Sequence, residues 1–375
     1  MKILHLASFV GNQGDLTNHK NFRTWFDEVT KSENIWKEIE IRSLFRNEYK
    51  YEEFFPEFAN QFDLLVIGGG NFFELWPSNS WSGTSIGLTT EMIKRLKVPI
   101  FINSIGVDAA QGISENAKVN FPTFIELLLK KNALISVRND GSYDEISKHL
   151  PEYKMQEIHI LPDAGFFCIN SSFPVKRNSY TYIAINLAID MKEKRFESQL
   201  ENGYQLFISN FAADIEWILS NTFVDRIVFT SHIYSDLEIA LDVVEKLSEK
   251  SRRERVIFSQ FGPDEATNQI ITETYYRAEL TIAMRFHANL IPIGLGRPTI
   301  GISTYPQISK MYREIQMEEN ALSLDQLNRV EGLRMFIQKH FQNPNSTIKK
   351  SEIAKLKIEK QREEFKGILE KWLKD

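Results

Sequence analysis

The segment Thr281-Ile282-Ala283-Met284-Arg285-Phe286-His287-Ala288-Asn289-Leu290-Ile291-Pro292-Ile293-Gly294-Leu295-Gly296-Arg297-Pro298-Thr299-Ile300-Gly301-Ile302 reads as strand, charged turn, helix, glycine turn and strand. The apolar run Leu280 to Met284 is short and ends on Arg285, so a buried strand delivers an arginine, and two residues later a histidine, to its carboxyl end. Open α/β sheets bind ligands at that edge. Arg285 keeps its charge at any ordinary pH, whereas His287 can carry or release a proton near neutrality. An isolated Arg-x-His is more often a salt-bridged strand cap followed by a satisfied histidine. The other strand ends decide which reading holds.

The same pattern recurs along the chain. Ile3 to Phe9 is a first strand that empties into Gly11-Asn12-Gln13-Gly14-Asp15, with a helix expected over Asn21 to Thr30. Glycines in that loop would let backbone approach a ligand, and Asp15 would accept a proton or cap the helix. Phe62 to Ile67 is a continuous apolar run of the buried parallel type, followed by Gly68-Gly69-Gly70-Asn71, a backbone cradle for an anion or a sugar hydroxyl, or a tight packing turn. No Lys-Ser/Thr follows, which excludes a P-loop. Between Trp76 and Thr90, tryptophans alternate with hydroxyl and amide residues, a composition that suits sugar contact and equally a loop packed on itself. Further strands span Val98 to Ile105 and Ala133 to Val137, with a crossover helix over Phe124 to Leu129; the second ends on Arg138. His159 to Leu161 leads to Pro162-Asp163-Ala164.

Ser171 to Ser179 is the candidate linker. Beyond it, strands are expected at Tyr180 to Ile189, Arg226 to Thr230, Val256 to Ser259, Leu280 to Met284 and Thr299 to Ser303, with a helix near Leu237 to Lys250. Ser231-His232 closes the second of these strands, a place where a histidine is more often structural.

Several of these segments, in order, resemble the blocks of the polysaccharide pyruvyl transferase family: Asn12-Gln13-Gly14-Asp15, Gly68-Gly69-Gly70-Asn71, Ser136-Val137-Arg138-Asn139, Asp163, Arg285-x-His287 with the Gly296-Arg297-Pro298 turn, and Tyr305 through Lys310. The similarity runs from Asn12 to about Lys310. It departs from the family pattern at Asp163, where Pro162 precedes the aspartate and Ala164 takes the place often held by proline. Two βα repeats joined by a linker resemble the GT-B fold: an N-terminal Rossmann-like domain (1–172), a C-terminal one (173–345) facing it across a cleft, and a C-terminal helix (346–375) returning to the first domain. The helix expectation rests also on the apolar stripe Ile353, Leu356, Phe365, Ile368, Leu369, Trp372 and Leu373.

The resemblance implies transfer of a pyruvyl group from phosphoenolpyruvate to two hydroxyls of a sugar acceptor, nucleotide- or lipid-linked, with release of phosphate. It implies anion binding by Arg285, Arg138 and Lys310, acid chemistry at His287, assistance from Asp15, and substrate contacts from Asn12, Gly68, Gly69, Gly70, Asn71, His232 and Asp163. Asp163 would equally serve to fix a turn. Two other readings stay open at this stage: a GT-B glycosyltransferase using a nucleotide sugar, and a glycan-binding protein without catalysis.

Bulk properties agree with such a protein. The chain has 375 residues, enough for two domains, with 42% hydrophobic and 25% charged content. A net charge of −5 gives no reason to expect nucleic-acid binding. Cys168 is the one cysteine, so an intrachain disulfide is excluded. The N-terminus reads as a buried strand rather than a signal peptide, and no apolar run approaches the roughly 18 residues of a membrane span. A cytoplasmic protein is expected, with peripheral contact at the inner membrane face left open. No metal-ligand motif or cofactor signature is present, although a phosphorylated substrate would be free to bring Mg²⁺ with it.

Overall fold

A computed structural model describes residues 1–47, 50–168, 179–197, 202–327 and 332–374; most of the candidate linker lies outside them. The chain forms two compact units. Unit 1 comprises Met1–Val10, Asn18–Ala164 and Ile358–Asp375, and unit 2 comprises Gly11–Thr17 and Gly165–Lys357.

Unit 1 is built on a six-stranded sheet: β1 (Lys2–Ala7), β2 (Ile35–Glu40), β3 (Leu64–Gly68), β4 (Ile100–Ile105), β5 (Leu134–Val137) and β6 (Ile158–Ile160), in the spatial order β2-β1-β3-β4-β5-β6. Every pairing is parallel. The continuous apolar runs follow from having both faces covered. Leu65, Ile67, Ile100 and Ile102 face one layer with Phe121, Phe124 and Ile125 of the Glu115–Lys130 helix. Leu64, Val66 and Phe101 face the other, with Phe22 and Phe26 of the Gln13–Thr30 helix and Phe365 and Leu369 of the last helix. A separate two-stranded ladder joins Phe73–Glu74 to Val107–Asp108.

Unit 2 carries β7 (Tyr182–Asn186), β8 (Arg226–Thr230), β9 (Val256–Phe258), β10 (Leu280–Ala283), β11 (Thr299–Ser303) and β12 (Ala321–Ser323), ordered β9-β8-β7-β10-β11-β12 and again parallel throughout. Strand order reverses between β7 and β10, which makes the carboxyl end of that pair the topological switch point. Ile183, Ile185, Ile282 and Ile300 pack against Phe207, Phe211 and Ile239 on one face. Ala184, Val228 and Ala283 meet Ile271, Tyr275 and Ile291 on the other.

Three sequence expectations are corrected. The first helix spans Gln13–Thr30, beginning eight residues early, because the Asn12 Oδ1 accepts the Gly14 amide at 2.9 Å and starts it; Gly14 and Asp15 are helical, not loop, residues. The helix expected over Leu237 to Lys250 is broken at Leu247, giving Ser235–Lys246 and Glu249–Glu254, the second capped by Ser248. β2 and β12 are edge strands without a continuous apolar run, and the sequence reading passed over both.

The last helix, Pro344–Trp372, closes the chain. Phe365 is 1% exposed and stacks on Phe101 with ring centroids 5.9 Å apart, and the Trp372 indole donates to the Asn132 carbonyl at 2.8 Å. Phe365→Ala is expected to destabilise the protein by about 3–5 kcal/mol, whereas Gly367→Ala on the same helix, where an added Cβ meets open space, should stabilise it by about 0.8–1 kcal/mol. Urea midpoints of the two variants should therefore move in opposite directions.

Candidate functional site

In unit 2, Arg285 follows the end of β10 and serves as N-cap of the Phe286–Gly294 helix. Its amide donates to Asn186 Oδ1 at 3.1 Å, at the end of β7, which seats it on the switch point. The side chain is not a surface charge. Nε reaches both oxygens of Asp236 at 2.7 and 2.8 Å, Nη2 reaches Asp236 Oδ1 at 2.5 Å, and Nη2 also meets Asp190 Oδ1 at 2.7 Å. Burial works against the guanidinium's charge, but Asp236 and Asp190 outweigh it and hold its pKa above the ordinary value. Asp236, 1% exposed, also accepts the His232 amide at 2.8 Å. Asn289 staples the turn from below, donating to the carbonyls of Ala283 at 3.1 Å and Arg285 at 2.8 Å while accepting from the Tyr312 hydroxyl at 2.9 Å.

His287 lies in the first turn of that helix, 6% exposed. Its Nδ1 is 3.6 Å from Asp15 Oδ1. The Gly11–Thr17 segment is tied into unit 2 by the Gln13 amide to the His232 carbonyl at 3.0 Å, by Asn268 Nδ2 to the Gln13 carbonyl at 2.6 Å, and by a Gln13 side-chain bond to the Gly262 carbonyl. Gly14 is the contact residue: a Cβ there would lie 2.5 Å from the His287 ring nitrogen. Glycine is required by the imidazole rather than by backbone conformation.

His232 is 1% exposed and its Nε2 is 2.9 Å from the Tyr275 hydroxyl, which is 2.9 Å from Thr230 Oγ1. Burial, then the nearby His287 and Arg285, push its pKa well below the ordinary histidine value, so it is neutral. Asn12 is half-buried as the helix cap, and Lys310 stands half-buried on the Pro306–Glu314 helix. The structure thus brings Asp15, His232, Arg285 and His287 together in one unit.

The remaining candidates lie in unit 1. Gly68 and Gly69 adopt φ of +122° and +80°, and a Cβ on Gly68 would meet the Asn103 carbonyl at 2.5 Å. The Gly69 amide donates to that same carbonyl at 2.8 Å, so this N–H serves the turn. Gly70 supports the Asn71 loop, accepting the Gly106 amide at 2.9 Å. Asn71 donates to Asp108 at 3.0 Å and accepts from Arg138 Nη2 at 3.3 Å. Arg138 itself is 3% exposed, with Nε 2.6 Å from Asp140 and Nη1 3.8 Å from Asp163. Asp163 accepts from Asn18 Nδ2 at 2.6 Å. In the Trp76–Thr90 loop, Ser80, Ser82 and Thr84 are buried and bonded to one another, while Trp81 is 72% exposed.

Sequence reasoning missed Asp190, Arg195 and Asp236. Arg195 lies in a single π-helical turn, Glu193–Glu197, and reaches Asp190 Oδ2 at 3.2 Å and Thr304 Oγ1 at 3.0 Å. The one available signal was an aspartate a few residues beyond two strand ends, too common to single out. Among the described residues, no group of three or more His, Cys, Asp or Glu is arranged to hold a metal, and no helix is long and apolar enough to cross a membrane.

Two six-stranded parallel sheets in one chain, each with polar side chains at its carboxyl edge, define a GT-B-like α/β protein. Solved structures share this fold: UDP-GlcNAc 2-epimerase from Neisseria meningitidis bound to UDP-GlcNAc (TM-score 0.56, 11% identity, covering 96% of this chain and 99% of that one), S. aureus MnaA with UDP (0.55, 9%, 94% and 91%) and Anabaena HepE with UDP and glucose (0.51, 11%, 98% and 99%). The chain belongs to the polysaccharide pyruvyl transferase family, whose profile matches residues 11–305. No curated protein matches it significantly.

A buried neutral histidine binds fewer protons folded than unfolded, so its contribution to stability is lost as pH falls below the unfolded pKa of about 6.5. At pH 5.5 this amounts to about 1.4 kcal/mol. Between pH 7.5 and 5.5 the wild type should lose about that much more unfolding free energy than His232→Asn, measured by urea denaturation.

Proposed function

We propose that this protein moves the pyruvyl group of phosphoenolpyruvate onto two hydroxyls of a sugar, forming a cyclic ketal and releasing phosphate. The observation that carries the reading is the arrangement at the β10 edge, in a chain of this family: a permanently charged Arg285, and two residues on an imidazole 3.6 Å from a carboxylate. The donor has two anionic groups, which planar guanidinium groups bind bidentately.

His287 is the general acid. Its proton goes to the enol methylene carbon, which becomes the methyl group, and the adjacent carbon becomes electrophilic. Asp15 stabilises the imidazolium that must deliver this proton. One sugar hydroxyl adds to the electrophilic carbon, the C–O bond to phosphate breaks, and the second hydroxyl closes the ring. Of the two hydroxyl protons, one replaces that given by His287 and the other leaves with the phosphate. His232, held neutral by burial, adds no positive charge against the protonated His287. The acceptor is a sugar carried on a nucleotide or a lipid.

Calorimetric titration of phosphoenolpyruvate should show micromolar to millimolar binding to the wild type, lost in Arg285→Ala and weakened in Arg285→Lys, which keeps charge without the planar fork. With an acceptor supplied, His287→Ala should cut phosphate release by about 10²–10⁴ while leaving donor affinity within a few fold. Clear binding of UDP-hexoses without phosphoenolpyruvate binding, even with glycan present, would replace pyruvyl transfer by glycosyl transfer.

A further inference from the structure

The carboxylate of Asp190 is placed unlike its neighbours. It sits four residues past the end of β7, before Met191, whose φ of +56° is left-handed. One oxygen meets Arg285 Nη2 at 2.7 Å and the other meets Arg195 Nη2 at 3.2 Å, so a single carboxylate bridges two guanidinium groups. Both arginines are sequestered, with side chains 12% and 6% exposed, yet the Asp190 side chain is 31% exposed. Asp236, the other acidic partner of Arg285, is wholly buried and also bonded to backbone amides. Asp236 is a permanent counter-ion; Asp190 is the one that water, and hence a solute, can reach.

Arg195 is held independently of the Asp190 carboxylate. Its amide donates to the Met191 carbonyl at 3.0 Å, its Nε donates to the Asp190 backbone carbonyl at 2.7 Å, and Nη1 donates to Thr304 at 3.0 Å. Withdrawal of the Asp190 side chain would leave two fixed cations facing one fixed anion, Asp236. A monoanion restores neutrality there, and a planar carboxylate reproduces the displaced geometry. A phosphate dianion overshoots the charge.

We propose that Arg195 and Arg285 form a carboxylate subsite that the chain's own Asp190 fills, and that the carboxylate of the substrate enters by displacing it. The inference rests on the phosphoenolpyruvate reading for the identity of that substrate, and places its carboxylate, rather than its phosphate, between the two arginines. Asp190 then acts as a competitor built into the site, keeping two buried charges compensated when no donor is bound.

Titrations of phosphoenolpyruvate, pyruvate and inorganic phosphate into the wild type, Asp190→Asn and Asp190→Ala test this. Asp190→Asn should bind phosphoenolpyruvate and pyruvate ten-fold or more tightly than the wild type, with a smaller gain for phosphate. A purely long-range charge effect would favour the dianion instead, so an equal or larger gain for phosphate overturns the subsite. In thermal unfolding, millimolar acetate should stabilise Asp190→Ala, relative to chloride, while leaving the wild type unmoved, and pyruvate should compete with acetate. Weaker carboxylate binding in Asp190→Asn, with phosphoenolpyruvate still bound by the wild type, sinks the subsite and spares the donor assignment. Acetate and pyruvate binding by Asp190→Ala, with no phosphoenolpyruvate binding by any form, sinks the donor assignment and spares the subsite.

Discussion

A guanidinium cannot shed its proton, so an arginine brought into the interior at a strand end must be neutralised where it stands. Arg285 imposes that constraint on unit 2. Asp236 answers it from the first turn of the Ser235–Lys246 helix that follows β8, and to do so it is locked by the amides of His232 and Ile233. Asn186, at the end of β7, receives the Arg285 amide and donates to the Thr230 carbonyl at 3.1 Å. Three adjacent strand ends, β8, β7 and β10, are therefore cross-braced by groups whose first duty is one buried charge. Breaking such a pair by removing one partner costs roughly 3–5 kcal/mol because the other charge is left alone.

Arg138 and Arg285, each just past the carboxyl end of a strand, have similar local signatures and different surroundings. Arg138 follows β5 as Arg285 follows β10, each after an apolar run and before a polar turn. Arg138 is enclosed by Asp140 and Asp163, both with side chains 0% exposed, and its third partner is the Asn71 amide. Burial pushes the Asp140 carboxyl upward even with Arg138 beside it, the mark of a closed and desolvated pair. Around Arg285, by contrast, one partner of the pair is reachable by water. Charge at a strand end is thus a weak indicator by itself; what differs between the two arginines is the exposure of the counter-ion.

That difference explains how much the sequence disclosed. The continuous apolar strands were legible because a parallel sheet covered on both faces has no polar positions to spare, and Arg226–Thr230 and Thr299–Ser303 occur where the apolar runs place them. Edge strands were not, since Ile35–Glu40 alternates Trp36 and Ile39 with charged residues. In the site, Arg285 and His287 announced themselves by adjacency to a strand. Asp236 and Asp190 lie 49 and 95 residues earlier in the chain, and nothing local tells a counter-ion from a solvated aspartate. From sequence, Gly14 reads as room for a ligand against the backbone; its φ is not among the positive values, and the group against it is a ring arriving from 273 residues further on.

Gly14 also shows how the site couples its parts. His287 has a carboxylate beside Nδ1 and a backbone wall against its ring. Asp15 supplies the first and the backbone of Gly14 the second, from consecutive positions in the first turn of one helix. An acid in that turn is favoured by the helix dipole whatever it faces. The imidazole, however, sits in the first turn of its own helix, whose amino end disfavours a cation. The imidazole thus lies between a carboxylate and a helix amino end, groups of opposite electrostatic sign.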